Sequence, residues 1–330
     1  MKADRKNPNQ YNSMSNIKRL FPAICVAIII FFTACNSNPA LAPQQGYVNV
    51  KGGKVWYRVF GTGTKTPIMM LHGGPGGTGR SFYQFASIGE ERPIIIFDQL
   101  GGGRSDSTAD TSILKVENFV EQVEAVRKAL QLNSFYLHGH SWGTALALEY
   151  YLKYPKAVKG IIFNSPYFST PVWKADADTL ISTLPDSIQA AIATGEKNHD
   201  YESEAYKNAN EVFSKNFGLR NTRLTSPLDT VTVTGSSFIY NYMWGPTEFT
   251  ATGTLLHYDR VSSLTTIKVP VLFITGEFDE ARPATVKRFQ QMVPGAKMAV
   301  IPGSGHATMH DNLPANTKAI IDFLHEAGNN

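Results

Sequence analysis

The chain has 330 residues, of which 42% are hydrophobic and 18% are charged, which is enough for one large α/β domain with an insertion or for two small domains. Residues 1–34 hold five of the 31 basic and one of the 27 acidic residues, so this segment accounts for the formal net charge of +4. The remaining, neutral body gives no electrostatic case for nucleic-acid binding. Both cysteines, Cys25 and Cys35, lie near the N-terminus, so the body has no disulfide or metal–thiolate chemistry.

The N-terminal segment has the pattern of a bacterial export signal. A polar, basic region is followed by an apolar run at 20–32, which at about 13 residues is short for a membrane span and typical of a signal peptide. Residues 32–35, Phe-Thr-Ala-Cys, resemble a lipobox, in which the cysteine becomes the lipidated N-terminus. We expect a lipoprotein signal peptide at 1–34, lipidation at Cys35 and a periplasmic or cell-surface location. The alternative is an uncleaved anchor helix.

A segment rich in Asn, Pro, Ala and Gln at 35–46 predicts a flexible tether. Beyond it, short apolar runs alternate with helical patterns, which predicts an α/β fold with a mostly parallel sheet flanked by helices. The run at 55–60 predicts an early hairpin strand. Buried strands are expected at 67–71, 94–97, 135–137, 161–163, 271–274 and 298–301. Apolar residues at helical spacing predict helices at 116–130 and 317–327.

Residues 167–262 break this alternation. The segment is polar, helical in character and dense in aromatic residues. We predict a mainly helical cap at 167–262, inserted into a core formed by 47–166 and 263–330. In open α/β sheets ligands bind at the carboxyl ends of the strands, so we expect the cap to lie over that edge.

The stretch Gly139-His140-Ser141-Trp142-Gly143 has the form G-x-S-x-G. A predicted strand precedes it and a helical pattern follows it, which is the context of a nucleophile elbow. The flanking glycines are needed because a Cβ in so tight a turn would clash with neighbouring backbone. Ser141 is therefore the predicted nucleophile. The alternative is a glycine-rich turn with an incidental serine.

A serine hydroxyl is a weak nucleophile and needs a base that an acid orients. In folds with this elbow the chain order is serine, then aspartate or glutamate, then histidine. Asp279 and His306 come just after the predicted strands at 271–274 and 298–301. Ser141, Asp279 and His306 are therefore the predicted catalytic residues, with His306 as the base.

The negative charge that develops on a substrate oxygen needs two preorganised N–H donors. One is expected from Trp142, directly after the nucleophile, and the other from the loop after the strand at 67–71. That loop is His-Gly-Gly-Pro-Gly-Gly at 72–77, and Gly74 is the predicted donor. A phosphate-binding loop is disfavoured because no Gly-Lys-Ser/Thr follows and no G-x-G-x-x-G register fits.

Four stretches together resemble the proline iminopeptidase family of α/β-hydrolases. They are His-Gly-Gly-Pro-Gly at 72–76, Asp-Gln through Gly-Arg-Ser at 98–105, Ser-Trp-Gly at 141–143 and Gly-Glu-Phe-Asp at 276–279. The resemblance spans roughly residues 47–327. It implies the α/β-hydrolase fold and removal of an N-terminal residue, often proline, from short peptides. It also implies a serine triad with no metal and no cofactor.

The resemblance further implies a substrate subsite. Residues 243–249 resemble a cap motif in which a glutamate, here Glu248, holds the substrate's α-ammonium group, and Trp244 belongs to the same motif. Glu280 resembles a second such glutamate. A charged amine entering a partly dry cleft needs an opposite charge close by. The alternative is that both glutamates are solvated surface residues.

The expected function is an exported serine aminopeptidase that releases N-terminal proline or another small apolar residue from short peptides through an acyl-enzyme. A carboxylesterase or lactonase with the same triad is one alternative, since the aromatic cap could hold an acyl group and His140 stands where the family commonly has glycine. A non-catalytic ligand-binding lipoprotein is the other. The expected partners are short peptides and, through the lipid anchor, a membrane. The oligomeric state does not follow from the sequence.

Overall fold

The computed structural model describes residues 38–328. The predicted signal peptide at 1–34 and the predicted lipidation of Cys35 lie outside the described residues. Within 38–328, no helix is both long and apolar enough to cross a membrane.

Eight strands form one sheet in the described part of the chain. They are β1 (Gln44–Val50), β2 (Gly53–Phe60), β3 (Ile68–Leu71), β4 (Ile94–Phe97), β5 (Phe135–His140), β6 (Val158–Asn164), β7 (Val271–Gly276) and β8 (Lys297–Ile301). Their order is β1-β2-β4-β3-β5-β6-β7-β8. The pairs β1–β2 and β2–β4 are antiparallel, and the pairs from β4 to β8 are parallel. The predicted mostly parallel α/β sheet is confirmed.

The first strand corrects part of the expected tether at 35–46. Residues 44–46 belong to β1, because their backbone pairs in register with residues 57–59 of β2. Apolar runs did not predict β1, since this edge strand pairs with β2 alone and none of its residues is fully buried. Further upstream, the side chain of Asn38 accepts hydrogen bonds from the N–H groups of Asn133 and Ser134 at 2.8 and 3.0 Å.

Helices cover both faces of the sheet, as a mostly parallel sheet requires. Within 38–328 the α-helices are α1 (Val116–Ala129), α2 (Trp142–Lys153), α3 (Thr170–Ile181), α4 (Asp186–Asn198), α5 (Glu204–Phe213), α6 (Ser237–Met243), α7 (Pro283–Met292), α8 (Thr308–Asp311) and α9 (Leu313–Gly328). Residues of α1, α2 and α7 share one apolar core with alternate residues of the strands. Residues of α9 and of a 3₁₀ segment at Gly79–Glu90 share the core on the other face.

The chain between β6 and β7 carries α3 to α6 and contributes no strand to the sheet. Part of it has an apolar cluster of its own, in which Tyr206, Phe213 and Phe249 are buried. Residues 219–236 form an irregular segment without helix or strand. The domain boundaries at 167 and 262 stay predictions.

Candidate active site

Ser141 lies on a sharp turn between β5 and α2. Its backbone has φ 54° and ψ −126°, a conformation that residues other than glycine rarely adopt and that persists only where the surroundings hold it. The Ser141 N–H donates to the carbonyl oxygen of Asn164 at 3.0 Å. Gly143 allows α2 to approach β3, because a Cβ there would overlap the carbonyl oxygen of Leu71. Ser141 therefore has the backbone geometry of a nucleophile elbow.

Asp279 and His306 are hydrogen-bonded beyond the ends of β7 and β8. His306 Nδ1 donates to Asp279 Oδ1 at 2.8 Å. The buried Asp279 carboxylate also accepts from Ser165 Oγ at 2.6 Å and from the backbone N–H groups of Gly276 and Ala281 at 3.0 and 2.8 Å. Burial would raise the pKa of Asp279, but the attraction of His306 and these hydrogen bonds lower it below its ordinary value. Asp279 is therefore an anion that orients the His306 ring.

The other ring nitrogen of His306 is free. Nε2 has no hydrogen-bond partner within residues 38–328, although Ser141 and His306 line the same cavity of about 440 Å³. In serine hydrolases the bond between nucleophile and base is often long or misaligned until a substrate aligns the two groups. The structure thus brings Ser141, Asp279 and His306 together, with one of the two hydrogen bonds of a triad formed.

Three carboxylates act on His306. Glu280 Oε1 lies 3.7 Å from Nδ1, and Glu248, in the chain between β6 and β7, also acts on His306 through its charge. Burial would lower the pKa of His306, but the charges of Glu280, Asp279 and Glu248 raise it to about 9. Burial raises the pKa of Glu280 well above its ordinary value, against the attraction of His306, and burial also raises the pKa of Glu248. This cluster is poised to accept a cation, since Glu280 Oε2 is buried and has no hydrogen-bond partner in the described chain.

These charges predict a pH dependence for an uncharged ester such as nitrophenyl acetate. Histidine acts as a base only when neutral, so kcat/KM should increase with pH up to about 9, the raised pKa of His306. Glu280→Gln removes a neighbouring negative charge, which lowers the pKa of His306. The rising limb of the pH profile of kcat/KM should therefore move to lower pH by about one unit. Glu211→Gln, an exposed carboxylate outside the cavity, should leave the limb in place. An unmoved limb in Glu280→Gln would show that the cluster does not set the basicity of His306.

Both predicted oxyanion donors lie beside the nucleophile. Gly74, Ser141 and Trp142 line one recess. Gly74 has φ 119°, a backbone conformation that favours glycine. Trp142 is the first residue of α2, so its N–H has no carbonyl one turn earlier to bond. Their role as oxyanion donors stays a prediction.

Gln99 ties the glycine loop to the elbow. Its backbone N–H donates to His72 Nε2 at 3.0 Å and its side-chain amide donates to the His72 carbonyl oxygen at 3.1 Å. Its Oε1 accepts from Trp142 Nε1 at 2.9 Å. Burial lowers the pKa of His72, so that ring is neutral and its Nε2 can accept. Gln99, in the turn at 98–105, thus links the His72 loop to Trp142, the two sides of the candidate oxyanion site.

The recess that Gly74, Ser141 and Trp142 line is largely aromatic. Its walls are Gly74, Pro75, Ser141, Trp142, Tyr167, Trp173, Trp244, Glu248 and Leu255. Trp173 Nε1 donates to the backbone oxygen of Glu248, and Trp244 Nε1 donates to that of Thr247, both at 2.9 Å. The two indoles therefore hold the loop that carries Glu248. The structure brings the predicted subsite residues Trp244 and Glu248 to Ser141, and Glu280 to His306.

Two polar residues support the Asp279–His306 pair, and sequence reasoning gave neither this role. His140 Nε2 donates to the His306 carbonyl oxygen at 2.9 Å, and burial lowers the pKa of His140 to about 3, so this ring stays neutral. Ser165 Oγ lies 3.0 Å from the same oxygen and donates to Asp279. Ser165 follows β6, and a serine at the end of a predicted strand was the only signal for it.

The fold and the site together define the class of the protein. A serine on a nucleophile elbow, beside an aspartate–histidine pair at the carboxyl ends of parallel strands, is the arrangement of an α/β-hydrolase. The family model of the α/β hydrolase fold matches residues 66–313, which bears out the predicted fold class.

Relatives identify the family within this class. A proline iminopeptidase from Heyndrickxia coagulans is 37% identical over 285 residues, which cover 85% of this chain and 98% of that protein. The crystal structure of proline iminopeptidase from Mycobacterium smegmatis has a TM-score of 0.76 at 26% identity and covers 86% of this chain and 99% of its own. The crystal structure of VinJ has a TM-score of 0.79 at 27% identity, over 88% and 100%. The chain belongs to the proline iminopeptidase family of α/β-hydrolases, as the resemblance predicted.

Proposed function

We propose that this protein is a serine aminopeptidase that releases N-terminal proline or another small apolar residue from short peptides. The observation that carries the proposal is Glu280, a buried carboxylate with an unpartnered oxygen in the cavity that Ser141 lines. A buried carboxyl group is costly unless its oxygens have partners, and only Oε1 of Glu280 faces one, His306 Nδ1 at 3.7 Å. An esterase has no use for this carboxyl group, whereas an aminopeptidase must pair with the free ammonium group of its substrate.

In the proposed reaction, Ser141 Oγ attacks the carbonyl carbon of the first residue while His306 Nε2 accepts the hydroxyl proton. Asp279 keeps Nδ1 protonated and thereby leaves Nε2 free for this task. The N–H groups of Gly74 and Trp142 stabilise the oxyanion, and a donor of this kind contributes about 10²–10³-fold to the rate. Nε2 then gives its proton to the leaving amine. Water attacks the acyl carbon while Nε2 accepts its proton, and Nε2 returns a proton to Ser141 Oγ as the ester bond breaks and the free amino acid leaves.

The two carboxylates would limit cleavage to the first peptide bond, because they would fix the distance between the substrate's free amine and Ser141. Glu248 lines both the aromatic recess and the cavity, and Ser141 lies on both as well. An ammonium group between Glu248 and Glu280 would therefore place the first side chain in the recess and the first carbonyl at Ser141. Its positive charge would also offset the carboxylates that raise the pKa of His306, so the amine would help to make the base neutral.

The recess supports the preference for a small apolar first residue. Its walls are mostly aromatic or aliphatic, and the pyrrolidine ring of proline offers a compact apolar surface to such walls. Export and membrane attachment through Cys35 are part of the same proposal. They rest on the signal-like N-terminal pattern.

The experiment compares hydrolysis of prolyl-naphthylamide with that of its N-acetyl derivative by the wild-type protein. Acetylation removes the positive charge and leaves the scissile bond unchanged, so kcat/KM should fall by at least about 10²-fold. Equal rates on the two compounds would contradict amine recognition. Rapid hydrolysis of nitrophenyl esters together with no hydrolysis of either amide would identify an esterase instead.

A further inference from the structure

The cavity that Ser141 lines also has a cationic residue in its lining, Arg223. Glu248 and Ser141 are shared with the aromatic recess. On another side the cavity meets a second one of about 210 Å³, and the residues common to both include Ser81, Arg223 and His310. The recess and the cavity meet at Ser141, and the cavity meets the second one at Arg223. A substrate whose first residue fills the recess could extend its leaving group through this cavity to Arg223.

The neighbours of Arg223 do not satisfy its guanidinium group. The Leu224 N–H donates to His310 Nδ1 at 3.1 Å, so this nitrogen carries no proton. Burial and the charge of Arg223 lower the pKa of His310 to about 4, so the ring is neutral and its proton is on Nε2. That proton is donated to Ser81 Oγ at 3.1 Å. Nε2 therefore cannot accept from Arg223 Nη1, although the two atoms are 3.3 Å apart.

Arg223 also lacks an acidic partner. No carboxylate of residues 38–328 forms an ion pair with it, whereas nearby Arg80 pairs with Asp229. Its remaining contact is a long one of 3.5 Å to Ser81 Oγ. The cavity therefore has a carboxyl oxygen without a hydrogen-bond partner, Glu280 Oε2, where a substrate amine would bind, and a guanidinium group without an acidic partner where the leaving group would end. This polarity matches a short zwitterionic peptide.

We propose that Arg223 binds the C-terminal carboxylate of the leaving peptide, which makes short peptides with a free carboxylate the preferred substrates. The inference rests on the proposed aminopeptidase function. A guanidinium group presents paired N–H donors that match the two oxygens of a carboxylate. Arg223 itself is exposed, so the contribution should weaken as salt screens it. The charge also favours encounter with anionic peptide ends over neutral ones.

The test uses proline followed by one, two or three glycines, each peptide as the free acid and as the C-terminal amide. We expect the wild-type protein to prefer the acid at the fitting length by roughly tenfold in kcat/KM. Arg223→Gln should reduce this ratio to about one while leaving hydrolysis of prolyl-naphthylamide, which has no carboxylate, within about twofold. Arg223→Lys should keep part of the preference, since the charge remains and the paired donors are lost.

Lys215→Gln is the matched control. It removes an exposed positive charge from the neighbouring segment Ser214–Gly218 without touching the cavity, so the acid-to-amide ratio should stay as in the wild type. The inference is overturned if the wild type shows no acid preference at any length, or if Arg223→Gln keeps the wild-type ratio. If the wild-type protein hydrolyses neither prolyl-naphthylamide nor any of the peptides, the proposed function itself has failed, and the inference fails with it.

Discussion

Ser141→Ala should lower kcat for prolyl-naphthylamide by roughly 10⁴-fold or more while the protein stays folded. The substitution removes the predicted nucleophilic oxygen, and the remaining donors and binding groups account for the small residual rate. The strained backbone at φ 54° accepts alanine no worse than serine, because neither side chain is branched at Cβ. Initial rates and circular dichroism on the same preparations measure both expectations.

Ser214→Ala provides the matched control for this variant. Ser214 is a serine elsewhere in the same cavity, and its hydroxyl group makes no contact with Asp279 or His306. Its removal should leave kcat within about twofold. A folded Ser141→Ala protein with wild-type activity would show that the nucleophile lies elsewhere or that the chemistry does not pass through an acyl-enzyme.

Glu248→Gln has the second largest expected effect. The substitution keeps the side-chain shape and the hydrogen bond from Trp173, since that bond goes to the backbone oxygen. It removes one of the charges that would pair with the substrate amine, so kcat/KM for prolyl-naphthylamide should fall by about 10²-fold. Hydrolysis of nitrophenyl acetate, which has no amine, should change by only a few-fold. Glu211→Gln on α5, an exposed carboxylate outside the cavity, should affect neither substrate.

Much of the fold followed from apolar patterning. The strands β3 to β7 are largely runs of buried residues between turns, and α1 repeats buried residues at helical spacing. Apolar runs also located β2 and β8, but β8 lies at the edge of the sheet and only Ile301 in it is buried, so the expected burial of 298–301 was wrong. Patterning missed β1, because its sequence Gln-Gln-Gly-Tyr-Val-Asn-Val has no continuous apolar run. Asn38 was equally unpredictable. Its anchoring role depends on a loop about a hundred residues away coming within hydrogen-bonding distance.

Chain order was enough to predict which residues would meet at the site. Asp279 and His306 each follow a strand of a parallel sheet, so their side chains come to one edge, where Ser141 also lies. Chain order could not predict how far the carboxylates would raise the pKa of His306. That effect depends on burial and on the 3.7 Å separation between Glu280 and His306 Nδ1, and both arise only in the tertiary structure.

The supporting residues were hardest to predict. Gln99 and Ser165 act through single hydrogen bonds to residues distant in sequence, and polar residues of these types are common at strand ends. Arg223 lies in the irregular segment 219–236, where no periodicity indicates which side chains face inward. Their roles depend on neighbours that only the folded chain supplies.

The central claim is that a carboxylate pair beside the triad recognises the free amine of the substrate. Its most direct test is the ratio of kcat/KM for prolyl-naphthylamide to that for the N-acetyl compound, measured in the wild type and in Glu248→Gln. We predict a ratio of at least about 10² in the wild type and a ratio at least tenfold smaller in the variant. The same ratio in both proteins would contradict the claim.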